Sequence, residues 1–329
     1  MGILQAGLMP ERCVLSPITV LAIDLGGSHA KCAAVRDGAI LASRSVPADG
    51  LAGLGQLLPV LKSTSAEVAD EARVKWSDCS AVVLGFPGIV SAREKRVLAT
   101  NAKFDDAPGM NLAAWFEDTF GCRFFIENDA RLALLGEYGY GAAKGAEDAV
   151  MITLGSGIGG AAVLSGRLLE SKHGLAGTIG GHLSVTMNGR RCSCGNLGCA
   201  EAEGSTSFLR EIYKEQSGGA QGALSGKQSF GFRELFEAME GGDAPAIAAF
   251  EHCLGAWSTL TVSLIHAYDP EVVVFGGSVL QREKDILPRL QQYVAKHAWT
   301  PGRTVPLRCA MLGSDAALLG AIPLAEASL

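Results

Sequence analysis

The 329-residue chain has no run of lysine and arginine, and its formal net charge is −6, which excludes duplex nucleic acid as the main partner. No segment offers the ~20 uninterrupted apolar residues that a membrane span needs. The N-terminal stretch lacks the apolar core and small-residue cleavage site of a secretory signal. Position 6 is Ala6, not Ser or Thr, so Gly2 opens no myristoylation signal. A cytoplasmic protein is therefore expected. Charged residues make up only 19% against 48% apolar, which excludes disorder as the general state. Nine cysteines, an odd number unevenly spread, do not suit a secreted disulfide scaffold. The 42 glycines lack the period of collagen, and clusters such as Gly155, Gly157, Gly159 and Gly160 suit backbone lying close to a ligand. At roughly 150 residues per domain, the length points to about two domains.

What is present is a series of short apolar runs, at 18–24, 81–86, 123–127, 149–154 and 272–275, that read as buried strands. Each stops at glycine or a polar residue, and the carboxyl ends of strands are where α/β sheets bind ligands. Helical patterns occupy 50–61, 111–120, 130–138 and 281–297. The long apolar stretch 244–268 reads as a core helix leading to the strand at 272. The stretch 217–229, rich in Gly and Ser, is a surface loop. The segment Ile23-Asp24-Leu25-Gly26-Gly27 has an echo in Thr153-Leu154-Gly155-Ser156-Gly157, which predicts two duplicated units facing each other across a cleft, with a boundary near 121–129.

Four constellations carry chemistry. Asp24-Leu25-Gly26-Gly27-Ser28 is a strand-end carboxylate followed by a turn whose N–H groups can cradle phosphate, the Asp holding Mg²⁺; a plain hairpin has the same form. The run from Thr153 to Gly160 is a second glycine turn. No Gly-Lys-Ser/Thr follows it, so it is not a Walker loop, and its spacing is wrong for a dinucleotide fingerprint. Gly276-Gly277 closes a third strand in the same way. His182, Cys192, Cys194 and Cys199 supply one imidazole and three thiolates, a closed tetrahedral zinc set with no position left for water. Glu127-Asn128-Asp129 ends a strand and opens a helix, where Asp129 is either a general base or part of an N-cap.

In this order, these motifs resemble the ROK family of sugar kinases, within the sugar kinase–Hsp70–actin superfamily, over about 20–321. The segment Cys192-Ser193-Cys194-Gly195-Asn196-Leu197-Gly198-Cys199-Ala200-Glu201, preceded by His182, is the most specific element, supported by Gly85-Phe86-Pro87-Gly88 and by 313–321. The resemblance implies a two-lobed actin-like ATPase (ribonuclease H-like) α/β fold. Its lobes would span 1–125 and 126–312, with a zinc loop in the larger one and the helix at about 313–329 packing back on the first. It implies ATP-dependent phosphorylation of a hexose or N-acetylhexosamine hydroxyl, commonly at C6, with ATP, Mg²⁺ and structural Zn²⁺. Asp129 would be the base. Asn101, Asn128, Gly88, Thr178, His182 and Glu201 would face the sugar. Asp24, Gly26, Gly27, Ser28, Lys31, Gly155, Gly157, Gly276 and Gly277 would serve the nucleotide. Family analogy also implies a homodimer or homotetramer.

Two departures from the family pattern stand out. Ala176-Gly177-Thr178-Ile179-Gly180-Gly181-His182 carries Thr178 where the family has a sugar-contacting Glu, and one extra glycine. His29 stands where Lys or Asn is common. The changed sugar loop keeps open an alternative, a sugar-binding regulator with weak or lost kinase activity. The roughly 17 residues before the first strand are too few for the helix-turn-helix that a repressor of this family would carry.

Overall fold

Strand-length apolar runs with no polar face must be covered on both sides, and the architecture provides that cover twice. The computed structural model describes residues 18–329 apart from Gly27, Ala102 and Ile179; Gly27, expected in the first phosphate turn, lies outside the described residues. The chain begins with β1 (Thr19–Leu25), β2 (His29–Arg36), β3 (Ala39–Pro47), α1 (Leu54–Ala72) and β4 (Ala81–Phe86). A small hairpin follows, β5 (Ile89–Ser91) and β6 (Arg96–Ala99), then α2 (Leu112–Phe120), β7 (Arg123–Asn128) and α3 (Asp129–Tyr140). The rest comprises β8 (Ala149–Leu154), β9 (Ile158–Leu164), β10 (Arg167–Leu168), α4 (Ala200–Gly204), α5 (Leu209–Gln216), α6 (Phe232–Glu240), α7 (Ala244–Tyr268), β11 (Val272–Gly276), α8 (Glu283–His297), β12 (Leu307–Cys309) and α9 (Ala316–Ser328).

The strands form two five-stranded sheets, in the orders β3-β2-β1-β4-β7 and β10-β9-β8-β11-β12. The first strand of each unit lies in the middle, antiparallel to its hairpin partner and parallel to the next strand. The next hairpins, β2–β3 and β9–β10, turn through Asp37-Gly38 and Ser165-Gly166, with positive φ at all four residues, the geometry of a tight two-residue turn. The sequence echo between the two units is thus an echo of topology as well.

Alternation along β1 shows how the layers divide. Leu21, Ile23 and Leu25 pack with α1 and α2, whereas Val20 and Ala22 face a second core. That second core also takes Met151 of β8, Val274 of β11, Leu132 and Leu135 of α3, and Leu318 and Ile322 of α9. α3 and α9 therefore lie between the two sheets. A third core, around Trp257 and Phe250 of α7, covers the outer face of the second sheet. α9 also packs against β1, β2 and β4.

The strand and helix expectations hold in outline. α1 is longer than the expected 50–61, running to Ala72, because its buried face beyond Leu61 is made of Thr64, Ser65, Val68 and Ala69, mostly small residues that give little periodic signal. Glu137, buried in α3, accepts the N–H groups of Ala142 (2.7 Å), Met311 (3.1 Å) and Leu312 (2.8 Å), tying the end of α3 to the segment that enters α9. α3 and α9 cross so closely that a Cβ on Gly320 would overlap the Leu132 carbonyl. Gly320→Ala gains about 1 kcal/mol of helix propensity but overpacks a backbone contact at a cost of about 2–3 kcal/mol. A net loss of stability is expected in urea unfolding, with no change in the midpoint for Gly226→Ala on the outer loop, where a Cβ meets open space, as a control.

Candidate active site

Three strand ends and the first turn of α3 bring the first group of residues together. Asp24, next to last in β1, lies opposite Gly85 of β4 and Lys31 of β2. Burial, then the charge of Asp129, pushes the Asp24 carboxyl up to about 7, against the pull of Lys31. The two aspartates thus share one electrostatic environment although 105 residues separate them, as 129 minus 24. Lys31 is not a free cation, since its ammonium pairs with Asp315, the residue before α9. Ser28 and His29 are exposed, and the hydroxyl of Ser28 lies 3.1 Å from His29 Nδ1.

The helix opening at Glu127-Asn128-Asp129 divides its tasks. Asn128 is the N-cap: its Oδ1 accepts the Arg131 N–H at 3.2 Å, and its Nδ2 donates to the Gly88 carbonyl at 3.2 Å. Asp129 is the first helical residue. Its Oδ1 accepts the Ala130 N–H at 2.8 Å, and burial, outweighing that bond, lifts its carboxyl to about 6. Capping belongs to the asparagine, so the aspartate is left for other work. Glu127, buried behind them, holds Arg131 through Oε1–Nε at 2.8 Å.

The second glycine turn is fastened from outside. Gly155 N–H donates to the Gly157 carbonyl (3.0 Å), while Thr206 and Ser207 donate to the Gly155 and Ser156 carbonyls (3.0 and 3.1 Å). Glu201 of α4 reaches the same turn: one carboxylate oxygen accepts the Ile158 N–H at 3.0 Å. A residue expected at the sugar thus also touches the phosphate turn. Gly276 ends β11, and Gly277 sits against the Leu154 carbonyl at the end of β8, so these two turns adjoin.

The donor atoms of His182, Cys192, Cys194 and Cys199 lie within 4.8 Å of one another. Cys194 and Cys199 sulfurs are 3.6 Å apart, and Cys192 Sγ is 3.5 Å from His182 Nδ1. Tetrahedral zinc with ordinary bond lengths requires about 3.8 and 3.5 Å for these pairs, so the set fits the ion with Nδ1 as ligand. Cys192 N–H to Asn196 O (2.8 Å) and Gly195 N–H to Cys192 O (2.9 Å) fold the knuckle. A cluster not foreseen from sequence anchors it: buried Glu203 takes the Arg190 N–H at 2.6 Å, pairs with its guanidinium, and meets His252 Nε2 at 2.8 Å. Asn101, in the loop after β6, donates to Ser193 Oγ at 3.3 Å, joining the first half of the chain to the knuckle. Thr178 is buried, with Oγ1 3.5 Å from Arg131 Nη1, and Gly88 is half-buried beside Asn128.

Two sheets of like topology, two crossing helices between them, and glycine turns at facing strand ends define the actin-like ATPase fold, here with a zinc-type knuckle. The ROK family model matches residues 20–328, and the chain belongs to the ROK family. A glucokinase of Thermotoga maritima is 30% identical over 313 residues, covering 92% of this chain and 96% of that protein. An N-acetylmannosamine kinase of Citrobacter koseri is 30% identical over 311 residues, 94% of this chain and 99% of that one. A ROK family glucokinase from Streptomyces griseus, solved in complex with glucose and AMPPNP, superposes with a TM-score of 0.77 at 25% identity, covering 94% and 99% of the two chains.

Metal analysis of protein purified without chelators is expected to find one zinc per chain. Its removal should lower the melting temperature, because binding free energy is here folding free energy. Cys194→Ser should lose the ion while retaining secondary structure by circular dichroism; full zinc occupancy in that variant would contradict the ligand set.

Proposed function

We propose that the chain transfers the γ-phosphoryl group of ATP to a hexose or N-acetylhexosamine, with the C6 hydroxyl as acceptor and Asp129 as general base. The observation that carries this is the Asp129 carboxyl: first in α3, next to the Asn128 N-cap and at the ends of β4 and β7, and lifted to about 6 by burial. A base with a pKa just below neutrality is ionised at physiological pH yet still basic enough to take a proton as the oxygen–phosphorus bond forms. The attacking oxygen bonds to the γ-phosphorus, its proton passes to Asp129, and the bond to the β-phosphate oxygen breaks to release ADP.

Asn101, Asn128, Gly88, Thr178, His182 and Glu201 hold the sugar in this reading. With Nδ1 of His182 turned to the zinc ligands, Nε2 is left to meet a sugar hydroxyl, and the metal-fixed knuckle limits how far His182 and Glu201 can drift apart. Asp24, Gly26, Gly27, Ser28 and Lys31 line one side of the phosphates, and Gly155 and Gly157 the other, with Gly276 and Gly277 at the nucleoside. The hard oxygens of half-buried Asp24 suit Mg²⁺, which when bound supplies charge neutralisation at the phosphates. Because β7 hydrogen-bonds within the first sheet, we set the division between lobes just behind Asn128.

A coupled ADP-release assay with Mg²⁺–ATP across hexoses and N-acetylhexosamines tests the reading. One sugar with kcat/KM far above the rest is expected. Sugar-induced thermal protection with no ADP release would support the regulatory alternative instead. Asp129→Asn is expected to lower kcat at least ~100-fold while sugar binding survives; near-normal turnover would sink the base assignment.

Wild-type kcat/KM should fall on acidification with a midpoint near 6, as Asp129 takes up its proton. The same shift sets a stability sign. The folded-state pKa lies above the unfolded value of about 3.9, so ionised Asp129 costs stability above that window. Asp129→Asn should therefore melt at the wild-type temperature or higher at pH 7.5. A lower melting temperature would show that the carboxylate stabilises the fold.

A further inference from the structure

Arg131 is the buried cation that the phosphoryl-transfer reading leaves unused. It lies in the first turn of α3, two residues after Asp129, with its side chain 4% exposed and that of Glu127 3%. Its Nε and Nη2 grip both carboxylate oxygens of Glu127, at 2.8 and 3.2 Å. Its Nη1 turns the other way, to the Leu169 carbonyl, the Ala176 carbonyl at 3.2 Å and Thr178 Oγ1 at 3.5 Å. A guanidinium has five N–H donors, and at least four of these are directed at protein acceptors, so Arg131 has little left to offer a substrate.

The acceptors explain the arrangement. Leu169 and Ala176 are the two ends of one loop, whose middle is closed by Ser171 Oγ accepting the N–H groups of Leu175 (3.2 Å) and Ala176 (3.1 Å). Four residues beyond Thr178 the same loop delivers His182. Zinc would hold His182 from its far side; β9 packs against both α3 and the 180–182 segment, but among the described residues no side chain of the knuckle hydrogen-bonds to the first turn of α3. Arg131 is that tie, and Glu127 locks it, itself fixed by accepting the Asn128 N–H at 2.8 Å.

We infer that Arg131 is a positioning residue for the sugar: it clamps both ends of the 169–178 loop to the first turn of α3 and so sets the distance between the sugar-binding loop and the Asp129 carboxylate. A buried ion pair is a poor device for stability, since its desolvation roughly cancels its attraction. A fork that must satisfy a carboxylate on one side and two fixed carbonyls on the other is, however, an exacting device for geometry. Thr178 belongs to the same unit: a neutral hydroxyl at that position can lie beside the guanidinium without drawing it away from Glu127. The clamp rests on the sugar-kinase reading.

The test is the double substitution Glu127→Met with Arg131→Met, which removes both charges at similar volume, together with Arg131→Lys, which keeps a cation opposite Glu127 but cannot reach both carbonyls. Sugar affinity is read by calorimetry with glucose and with N-acetylmannosamine, alongside KM for ATP, zinc content and melting temperature. The expected result is a sugar Kd and KM raised at least about tenfold in both variants, with ATP KM within about twofold, one zinc per chain and the fold retained. Sugar affinity within about twofold of wild type in either folded variant would overturn the clamp. So would failure of both variants to fold, because the pair would then serve stability. Wild-type protein that binds and phosphorylates no hexose or N-acetylhexosamine of the panel would overturn the kinase reading, and the clamp with it.

Discussion

The crossing of α3 and α9 between the two sheets is the constraint on which the remaining geometry depends. Each helix has a glycine facing the other's backbone, Gly136 against the Ala316 carbonyl and Gly320 against that of Leu132. Close backbone approach fixes the axial position of α3, and with it the depth at which its N-terminus meets the ends of β1, β4 and β7. Asp129 is the residue at that N-terminus. Apolar packing, with Leu132 and Leu135 on one helix and Leu318 and Ile322 on the other, supplies the attraction, while the glycines decide where it stops. The Glu137 carboxylate, accepting three N–H groups at the far end of α3, prevents the helix from sliding along its axis.

Against this rigid background, the unfavourable groups are concentrated at one end of α3. Asp24 and Asp129 are both held above the usual carboxylate range by burial, and Asp24 is raised further by its neighbour's charge. Two half-buried carboxylates within each other's field cost stability at neutral pH, and such pairs cluster at functional sites. Two hydrogen bonds open α3: Asn128 Oδ1 accepts the Arg131 N–H, and Asp129 Oδ1 itself accepts the Ala130 N–H. Only the Asn128 cap is independent of the protonation state of Asp129.

How much of this the sequence discloses depends on how far apart the partners lie. Strands that stop at Leu25, Phe86, Asn128 and Leu154 are legible because burial on both faces leaves an uninterrupted apolar run. The zinc set is legible because its spacing is local, with all three cysteines within eight positions. α1 reads short because small hydroxyl residues carry its buried face after Leu61. The hairpin turn Asp37-Gly38 is a strong local signal that finds the β2–β3 pair only when the flanking residues are weighed for alternation. The double meaning of Glu127-Asn128-Asp129, cap or base, could not be divided from sequence, since the division is a matter of which side chain reaches the Arg131 N–H. Arg131 and Glu203 escape notice for another reason. Besides the nearer Glu127 and Arg190, the partners that give them their roles are 38 to 49 residues distant, and a charged residue in a helix looks the same whether it faces water or a buried partner.

On the proposed sugar-kinase reading, those two buried ionic clusters give a reason for the sugar loop to be specified twice. Zinc at the knuckle would fix His182 only relative to the three cysteines, and the Arg190–Glu203–His252 cluster extends that frame to α7 in the second half of the fold. Neither relates the knuckle to α3. A reaction that asks for an oxygen, a carboxylate and a phosphorus in line requires the frame holding the sugar and the frame holding the base to be one body. The loop from Leu169 to Thr178 is the only described segment that leads into the knuckle and also hydrogen-bonds to the first turn of α3. A threonine at 178 then has a physical rationale. A carboxylate there would compete with Glu127 for the guanidinium and loosen the joint, whereas a hydroxyl leaves the fork on Glu127 intact.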